Sequence, residues 1–263
     1  MSNVVIEQLE DRLLTLTMNR PENRNALNPA LCEGLVAATA RAAANVDAHA
    51  VLLTGAGPAF CVGGDVKAMA SGEGRQLSPD DRAWSLRGWM EASRLLHDMR
   101  KPTVAGINGA AAGAGLSLAL ACDLRIVTRS AKITTAFAKV ALSGDFGGTY
   151  FLTRLVGSAR ARELYFTSPV LTADDALRLG LVNEVVDDAE FAEAARAYAL
   201  KLAHGPRITL GYIKHNINMA ETASLEACFD NEAINRTRSG GTADHREAAA
   251  AFVEKRQPVF RGA

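Results

Sequence analysis

Three glycine-bearing stretches hold the residue types that could do chemistry. In the first, Gly63 and Gly64 precede Asp65 near the end of a run that opens at Gly55 and closes at Lys67. Small residues there let the backbone approach a ligand, and N–H groups where a strand gives way to a helix favour developing negative charge. The second, Gly109 followed by three alanines and then Gly113, Ala114 and Gly115, has the same form. Two such turns can supply two convergent N–H donors, which is what an oxyanion hole needs; each one alone fits tight packing equally well. The third sets one carboxylate, Asp145, among Gly144, Gly147 and Gly148 with Leu142 and Phe146 beside it. An aspartate in that setting can be a base in a poorly hydrated pocket, or it can cap the helix that begins after Thr149.

Other patterns carry less. Gly113-x-Gly115-x-x-Leu118 resembles a dinucleotide fingerprint, but its third glycine is missing and no acid stands at the expected distance. Ser117, two residues after Gly115, resembles a nucleophile elbow, yet it falls inside an expected helix rather than at a sharp turn. The five histidines are scattered without ligand spacing, so no metal site is expected. Cys32, Cys61, Cys122 and Cys228 form no CxxC and suit reduced thiols in apolar surroundings.

The elements that must position these residues read as α/β. Strands are expected at 13–18, 50–54, 103–107 and 124–128, with helices at 29–45 and 113–121. Between the rounds, 71–80 reads as a polar mobile loop, and 81–100 as a helix carrying Trp84 and Trp89. That loop and the tryptophan region are the expected lining of a substrate pocket. The uncharged stretch 104–122 is mostly Ala and Gly and reads as strand, turn and buried helix, not as a membrane span. Beyond Gly148 only 181–186 has strand character. Helices are expected at 172–179, 189–203, 207–220, 224–238 and 243–256. The chain therefore divides into an α/β core over 1–200 and a helical region over 201–263, which should pack on the core, on a neighbouring subunit, or both.

Composition narrows the function classes. The 263 residues balance 29 Lys+Arg against 29 Asp+Glu, and 48% are hydrophobic, enough for a full core. Such a charge balance lacks the positive field that nucleic acids or anionic membranes require, and the helix 81–100 has only Arg82, Arg87, Arg94 and Arg100 against several acids. With Glu7 and Glu10 near the start and no basic-then-apolar leader, a cytoplasmic location is expected.

Taken in order, the motifs resemble the crotonase superfamily, the enoyl-CoA hydratase/isomerase family. The resemblance runs over nearly the whole chain: Asn19-Arg-Pro-Glu22 with Asn25-Ala-Leu-Asn28, Ala59-Phe-Cys-Val-Gly-Gly-Asp65, Lys101 through Gly109, Cys122-Asp123, Gly147-Gly-Thr149, and Ala251 through Arg256. It implies a spiral of ββα turns with a helical C-terminal region that trimerises, giving a homotrimer or homohexamer. It also implies an acyl-CoA substrate whose thioester carbonyl is held by two amides that stabilise an enolate; on this chain these are the N–H groups of Gly64 and Ala114. Coenzyme A, carried as part of the substrate and not as a separate cofactor, would lie near Arg24, Asn25, Ala26, Leu27 and Lys67. Phe252 and Lys255 match positions that reach it from the C-terminal helix of the same or a neighbouring subunit.

At one place the sequence departs from the hydratase pattern. Hydratases of this family hold water between two glutamates, and the matching positions here are Ser117 and Phe137. Asp145 instead matches the aspartate of members that isomerise double bonds, and the stretch from Asp145 through Lys255 looks like the ring-epoxide and enoyl isomerases of phenylacetate degradation. A lone carboxylate suffices for a 1,3-proton shift, since it can remove a proton on one side of an enolate and return it on the other. The expectation is an acyl-CoA isomerase with Asp145 as base. Hydration, with Asp145 or Ser117 holding water, and a catalytically inactive CoA-ester-binding subunit remain as alternatives.

Overall fold

The computed structural model describes residues 4–71 and 76–263, without the side chain of Lys67; positions 72–75 of the expected loop lie outside that description. Strand alternation organises the main sheet. β1 (Val5–Glu10) and β2 (Leu13–Met18) form an antiparallel hairpin whose two turn residues, Asp11 and Arg12, both adopt the left-handed conformation that a tight two-residue turn requires. Strands β3 (Ala50–Gly55), β5 (Thr103–Ile107), β7 (Leu124–Thr128) and β9 (Glu184–Val186) then add in parallel, in the order β1-β2-β3-β5-β7-β9. A second, parallel sheet is made of β4 (Ala59–Cys61), β6 (Ala110–Ala112) and β8 (Ile133–Thr134).

The two faces of the main sheet bury different layers, as a period of two dictates. Leu14, Leu16, Met18, Val51, Leu53, Ala105, Ile107 and Val127 face the main core with α1 (Pro29–Ala44), α4 (Glu91–Asp98) and α5 (Ala114–Leu120). Leu13, Ala50, Leu52, Val104 and Ile126 face Phe191, Ala195 and Ala199 of α8 (Phe191–Ala203). Helix α1 starts cleanly because the Asn28 side chain accepts the Leu31 N–H at 3.0 Å and Pro29 needs no donor partner. Three successive units repeat one pattern, a strand in the large sheet, a strand in the small sheet, then a helix: β3-β4-α2 (Val66–Ser71), β5-β6-α5, and β7-β8-α6 (Gly148–Thr167). This is the expected α/β spiral of ββα turns. Because the strands run parallel, their C-terminal ends meet at one edge, where ligands of α/β folds collect.

Some elements differ from the sequence reading. The helix expected at 81–100 is two, α3 (Pro79–Trp89) and α4, broken at Met90; α3 buries no residue, whereas α4 buries Ala92, Ser93 and Leu96 against the core. Residues 181–186 shorten to β9. Helix α6 occupies a stretch where the sequence reading placed only a helix start, and it is interrupted at Gly157, whose φ of 76° breaks the helical path. The stretch 104–122 resolves into β5, β6 and α5, and no helix among the described residues is long and apolar enough to cross a membrane.

After α7 (Ala173–Arg178) and α8, the chain ends in α9 (Arg207–Ala220), α10 (Leu225–Gly240) and α11 (Ala243–Glu254). Helix α9 docks on the core through Lys214, whose buried ammonium donates to Leu96 O at 2.8 Å and pairs with Asp123 at 2.9 Å. Helix α10 is tied to α9 by amides: Asn216 Oδ1 accepts from Asn231 at 2.8 Å and from Asn235 at 2.6 Å.

Candidate active site

The small sheet delivers the two glycine turns side by side. Segment 24–27 runs against the turn after β4: Arg24 O accepts the Val62 N–H at 3.3 Å, Leu27 N–H donates to Gly63 O at 2.8 Å, and Asp65 N–H donates to Leu27 O at 3.1 Å. Leu27 and Gly64 are thus paired as in a parallel ladder. In that pattern the residue opposite turns its own N–H and C=O to the far side, so the Gly64 N–H points away from segment 24–27. Gly63, with φ +86°, leaves no room for a side chain: a Cβ would stand 2.8 Å from Ala112 O and 3.4 Å from Ala114 N. The second turn therefore abuts the first. Ala114 is the first residue of α5, where an N–H has no intrahelical acceptor. Among the described residues, neither the Gly64 nor the Ala114 N–H donates to a protein group. Gly115 is wedged behind them, since a Cβ there would lie 2.1 Å from Cys61 O.

Asp145 arrives on the loop between β8 and α6. It does not cap α6, whose first turn receives no side-chain acceptor; its backbone carbonyl accepts the Gly148 N–H at 3.0 Å instead. Its Oδ1 is buried with no hydrogen-bond partner among the described residues. Burial without a compensating donor pushes its pKa from 3.8 up to about 6. The same apolar surroundings push the Cys61 thiol up to about 12, chiefly by burial and with a contribution from the Asp145 charge. Tyr165 and Phe137 wall the other side, their rings stacked at 5.8 Å and 2°. Ser117 is 2% exposed and donates to Gly113 O at 3.3 Å inside α5.

The remaining residues matched to coenzyme A fall into three groups. Arg24 is exposed, but Asn25 is fully buried and its side chain is committed: Oδ1 accepts from Arg20 N at 2.8 Å, and Nδ2 donates to Ala56 O at 3.0 Å and Ala59 O at 2.8 Å. With Ala26 and Leu27 also buried, segment 24–27 braces the Gly63–Gly64 turn and presents Arg24 to solvent. The Lys67 side chain lies outside the described residues. Phe252 on α11 and Lys255, just past its end, are exposed, and no hydrogen bond or ion pair among the described residues joins them to the site. The tail after α11 is fastened near the start of β2 instead, where Arg12 donates to Phe260 O at 2.9 Å.

Sequence reasoning missed two features here. The bracing role of Asn25 depends on carbonyls 31 and 34 residues away, and Tyr165 lies on a helix of which only the start was expected. The signal for Tyr165 would have been Gly148: a Cβ there would come 2.5 Å from the tyrosine hydroxyl. No group of three or more His, Cys, Asp or Glu among the described residues could hold a metal.

Residues 8–263 match the family model described as enoyl-CoA hydratase/isomerase. The chain is 38% identical to the 1,2-epoxyphenylacetyl-CoA isomerase of Escherichia coli strain K12, with 100% of both chains covered. It is 33% identical to the short-chain-enoyl-CoA hydratase of Clostridium acetobutylicum, covering 98% of this chain and 97% of the other. Among solved structures it is similar to an enoyl-CoA hydratase from Polaromonas sp. JS666, with a TM-score of 0.91, 33% identity, and 98% and 99% of the two chains covered.

Proposed function

This chain belongs to the enoyl-CoA hydratase/isomerase family, and from that premise we propose that it moves the double bond of an enoyl-CoA thioester, with Asp145 as the single proton-transferring base. The observation that carries the reading is the buried, unpartnered Oδ1 of Asp145, on a carboxyl whose pKa is raised to about 6 and whose charge reaches Cys61, the residue against which Gly115 of the second turn is wedged. The thioester oxygen accepts hydrogen bonds from the Gly64 and Ala114 N–H groups. Asp145 takes the C2 proton of a 3-enoyl-CoA, the electron pair moves toward the thioester oxygen to give a dienolate, and the same carboxyl returns the proton at C4. The double bond then lies between C2 and C3. A carboxylate with a pKa near 6 is ionised at neutral pH yet more basic than an exposed aspartate, which suits both transfers. Preorganised amides stabilise the dienolate because their donors already point where the charge develops.

Coenzyme A is held in this reading by Arg24 and Lys67 of one chain, with Phe252 and Lys255 supplied by a neighbour in a homotrimer or homohexamer built through residues 201–263. The resemblance to a short-chain-enoyl-CoA hydratase supports a second reading, water addition to a 2-enoyl-CoA at the same amides. The Ser117 hydroxyl already donates to Gly113 O, which weighs against a water-holding role for it. Replacing Asp145 by Asn tests the proposal. Affinity for acetoacetyl-CoA, an enolate mimic, should stay within a few-fold while isomerisation falls by about 10² to 10⁴, the usual contribution of a general base. Near wild-type turnover by that variant would overturn it.

A further inference from the structure

The edge where the strands of the main sheet begin, opposite the glycine turns, carries positive charge that no carboxylate meets. Arg12 precedes β2, Arg100 and Lys101 precede β5, and Arg207 opens α9. Three of these cations bond only to backbone carbonyls. Arg12 Nη1 donates to Phe260 O at 2.9 Å, Arg207 Nη2 to Gly262 O at 3.3 Å, and Lys101 Nζ to Ala42 O at 2.8 Å and Asn45 O at 2.5 Å. The Arg100 side chain has no hydrogen-bond or ion-pair partner among the described residues. The charges lie close enough to act on one another: burial, and then the Arg207 charge, lowers the Lys101 ammonium to about 8. Burial, and then the charges of Arg207 and Arg12, likewise lower His49, against a backbone bond to Ala203. Arg207 Nε is buried and has no partner among the described residues. A guanidinium left in that state is costly unless an anion compensates it. Asp244, the acid fastened to the same tail, is engaged elsewhere, accepting the Arg261 N–H at 2.7 Å and the Gly262 N–H at 2.9 Å.

A cavity of about 280 Å³ opens here between Arg100, Arg207, Ile208, Gly211 and Tyr212, with no acid among the described residues that line it. Gly211 lets α9 press on the backbone of Arg100, since a Cβ there would stand 2.7 Å from Arg100 O, and this holds the two arginines on adjoining segments. Helix α9, 14 residues long, starts at the cavity with no side-chain cap and no acid in its first turn, so its first N–H groups and the positive end of its dipole are unanswered. The Tyr212 hydroxyl has no hydrogen-bond partner among the described residues.

We propose that this cavity binds a phosphate group, as the free ion or as a monoester, through the guanidiniums of Arg100 and Arg207, the Tyr212 hydroxyl and the first N–H groups of α9. Guanidinium forks match phosphate oxygens in pairs, and a helix N-terminus favours the same anion. So many donors outnumber the two oxygens of a carboxylate and suit a tetrahedral oxyanion. The site shares no residue with Gly64, Ala114, Asp145 or the positions matched to coenzyme A, so it stands or falls apart from the catalytic reading.

The test is calorimetric titration of the purified full chain with inorganic phosphate at slightly alkaline pH, where the dianion dominates. The wild type should bind phosphate saturably. Arg100→Gln and Arg207→Gln should each weaken binding about tenfold or more, the worth of a charge-assisted hydrogen bond, and Tyr212→Phe about threefold. Arg24→Gln, on the face assigned to coenzyme A, should leave this binding unchanged, and Arg100→Gln should leave isomerisation unchanged. Sulfate should compete and acetate should not. Glycerol 3-phosphate binding more tightly than inorganic phosphate would assign the site to a monoester, and weaker binding would assign it to the free ion. No saturable binding to the wild type would overturn the proposal, as would acetate competing as well as phosphate. Phosphate binding lost in Arg24→Gln but kept in Arg100→Gln would overturn it too, whether or not Arg207→Gln folds, because the Arg100 side chain holds no other part of the described residues.

Discussion

The edge where β4 and β6 end and the surface of α9–α11 are built on opposite terms. At the edge, backbone meets backbone: a Cβ on Gly63, Gly109 or Gly115 would collide with a neighbouring carbonyl oxygen, and segment 24–27 is bonded to the turn it braces. On the helices, large apolar side chains stand in solvent, among them Ile217, Phe229, Ile234 and Phe252, the last 86% exposed. Amides of Asn216, Asn231 and Asn235 tie α10 to α9, and the buried Lys214 ties α9 to the core. The difference teaches that one chain by itself brings the two glycine turns together, while its helical region has apolar faces that no other part of the described residues covers. Exposed apolar surface of this extent marks an interaction surface.

The comparison breaks most visibly at Gly115. Valine there must push its Cβ into Cys61 O, 2.1 Å away, so Gly115→Val should cost about 3 kcal/mol or more in urea unfolding; a loss under about 1 kcal/mol would mean that the edge is not rigid. Next in size is Asp145. Its folded pKa, about 6, lies above its ordinary 3.8, so the stability it contributes is complete below pH 3.8 and is lost as pH rises through about 6. Asp145→Asn should therefore be more stable than the wild type above pH 7, by up to about 3 kcal/mol, with the gain vanishing toward pH 4. The same ionisation predicts that kcat/KM falls as pH drops below about 6. A variant no more stable at pH 8 than at pH 4 relative to wild type would remove the buried-carboxylate account. The smallest effect should come from the helices: Ile217→Ser and Phe252→Ser should change the chain's own unfolding free energy by no more than about 0.5 kcal/mol yet lower the mass seen by light scattering. Unchanged assembly at micromolar concentration would show that these faces are not the contacts.

How much was legible in the sequence follows the same divide. Strand β2 and helix α9 have the limits that alternation and amphipathic spacing suggest, and β5 and β7, buried on both faces, have those of their short apolar runs. The glycine turns were legible because only a residue without Cβ fits so close to a neighbouring carbonyl, which leaves a mark in composition. Other features left no such mark. Met90 divides α3 from α4 where packing changes: α3 reaches the core only through the half-buried Leu86 and Trp89, whereas α4 buries Ala92, Ser93 and Leu96 in it, a tertiary fact. Helix α6 was obscured by Gly148 and Gly157, residues that argue locally against a helix, although Gly148 is required where two hydroxyls converge. Asn25, which reads as part of a ligand-contacting motif, has a buried side chain that also braces the fold, through Ala56 O and the β4 carbonyl Ala59 O, 31 and 34 residues on.

The central claim, that a single buried aspartate shuttles a proton across an enolate instead of activating water, is tested most directly by turning over a 3-enoyl-CoA in H₂¹⁸O and weighing the products. The account predicts 2-enoyl-CoA of unchanged mass as the first product, formed without ¹⁸O, and its loss in Asp145→Asn. A 3-hydroxyacyl-CoA carrying ¹⁸O as the main product of 2-enoyl-CoA, with no migration of the 3-enoyl double bond, would contradict it.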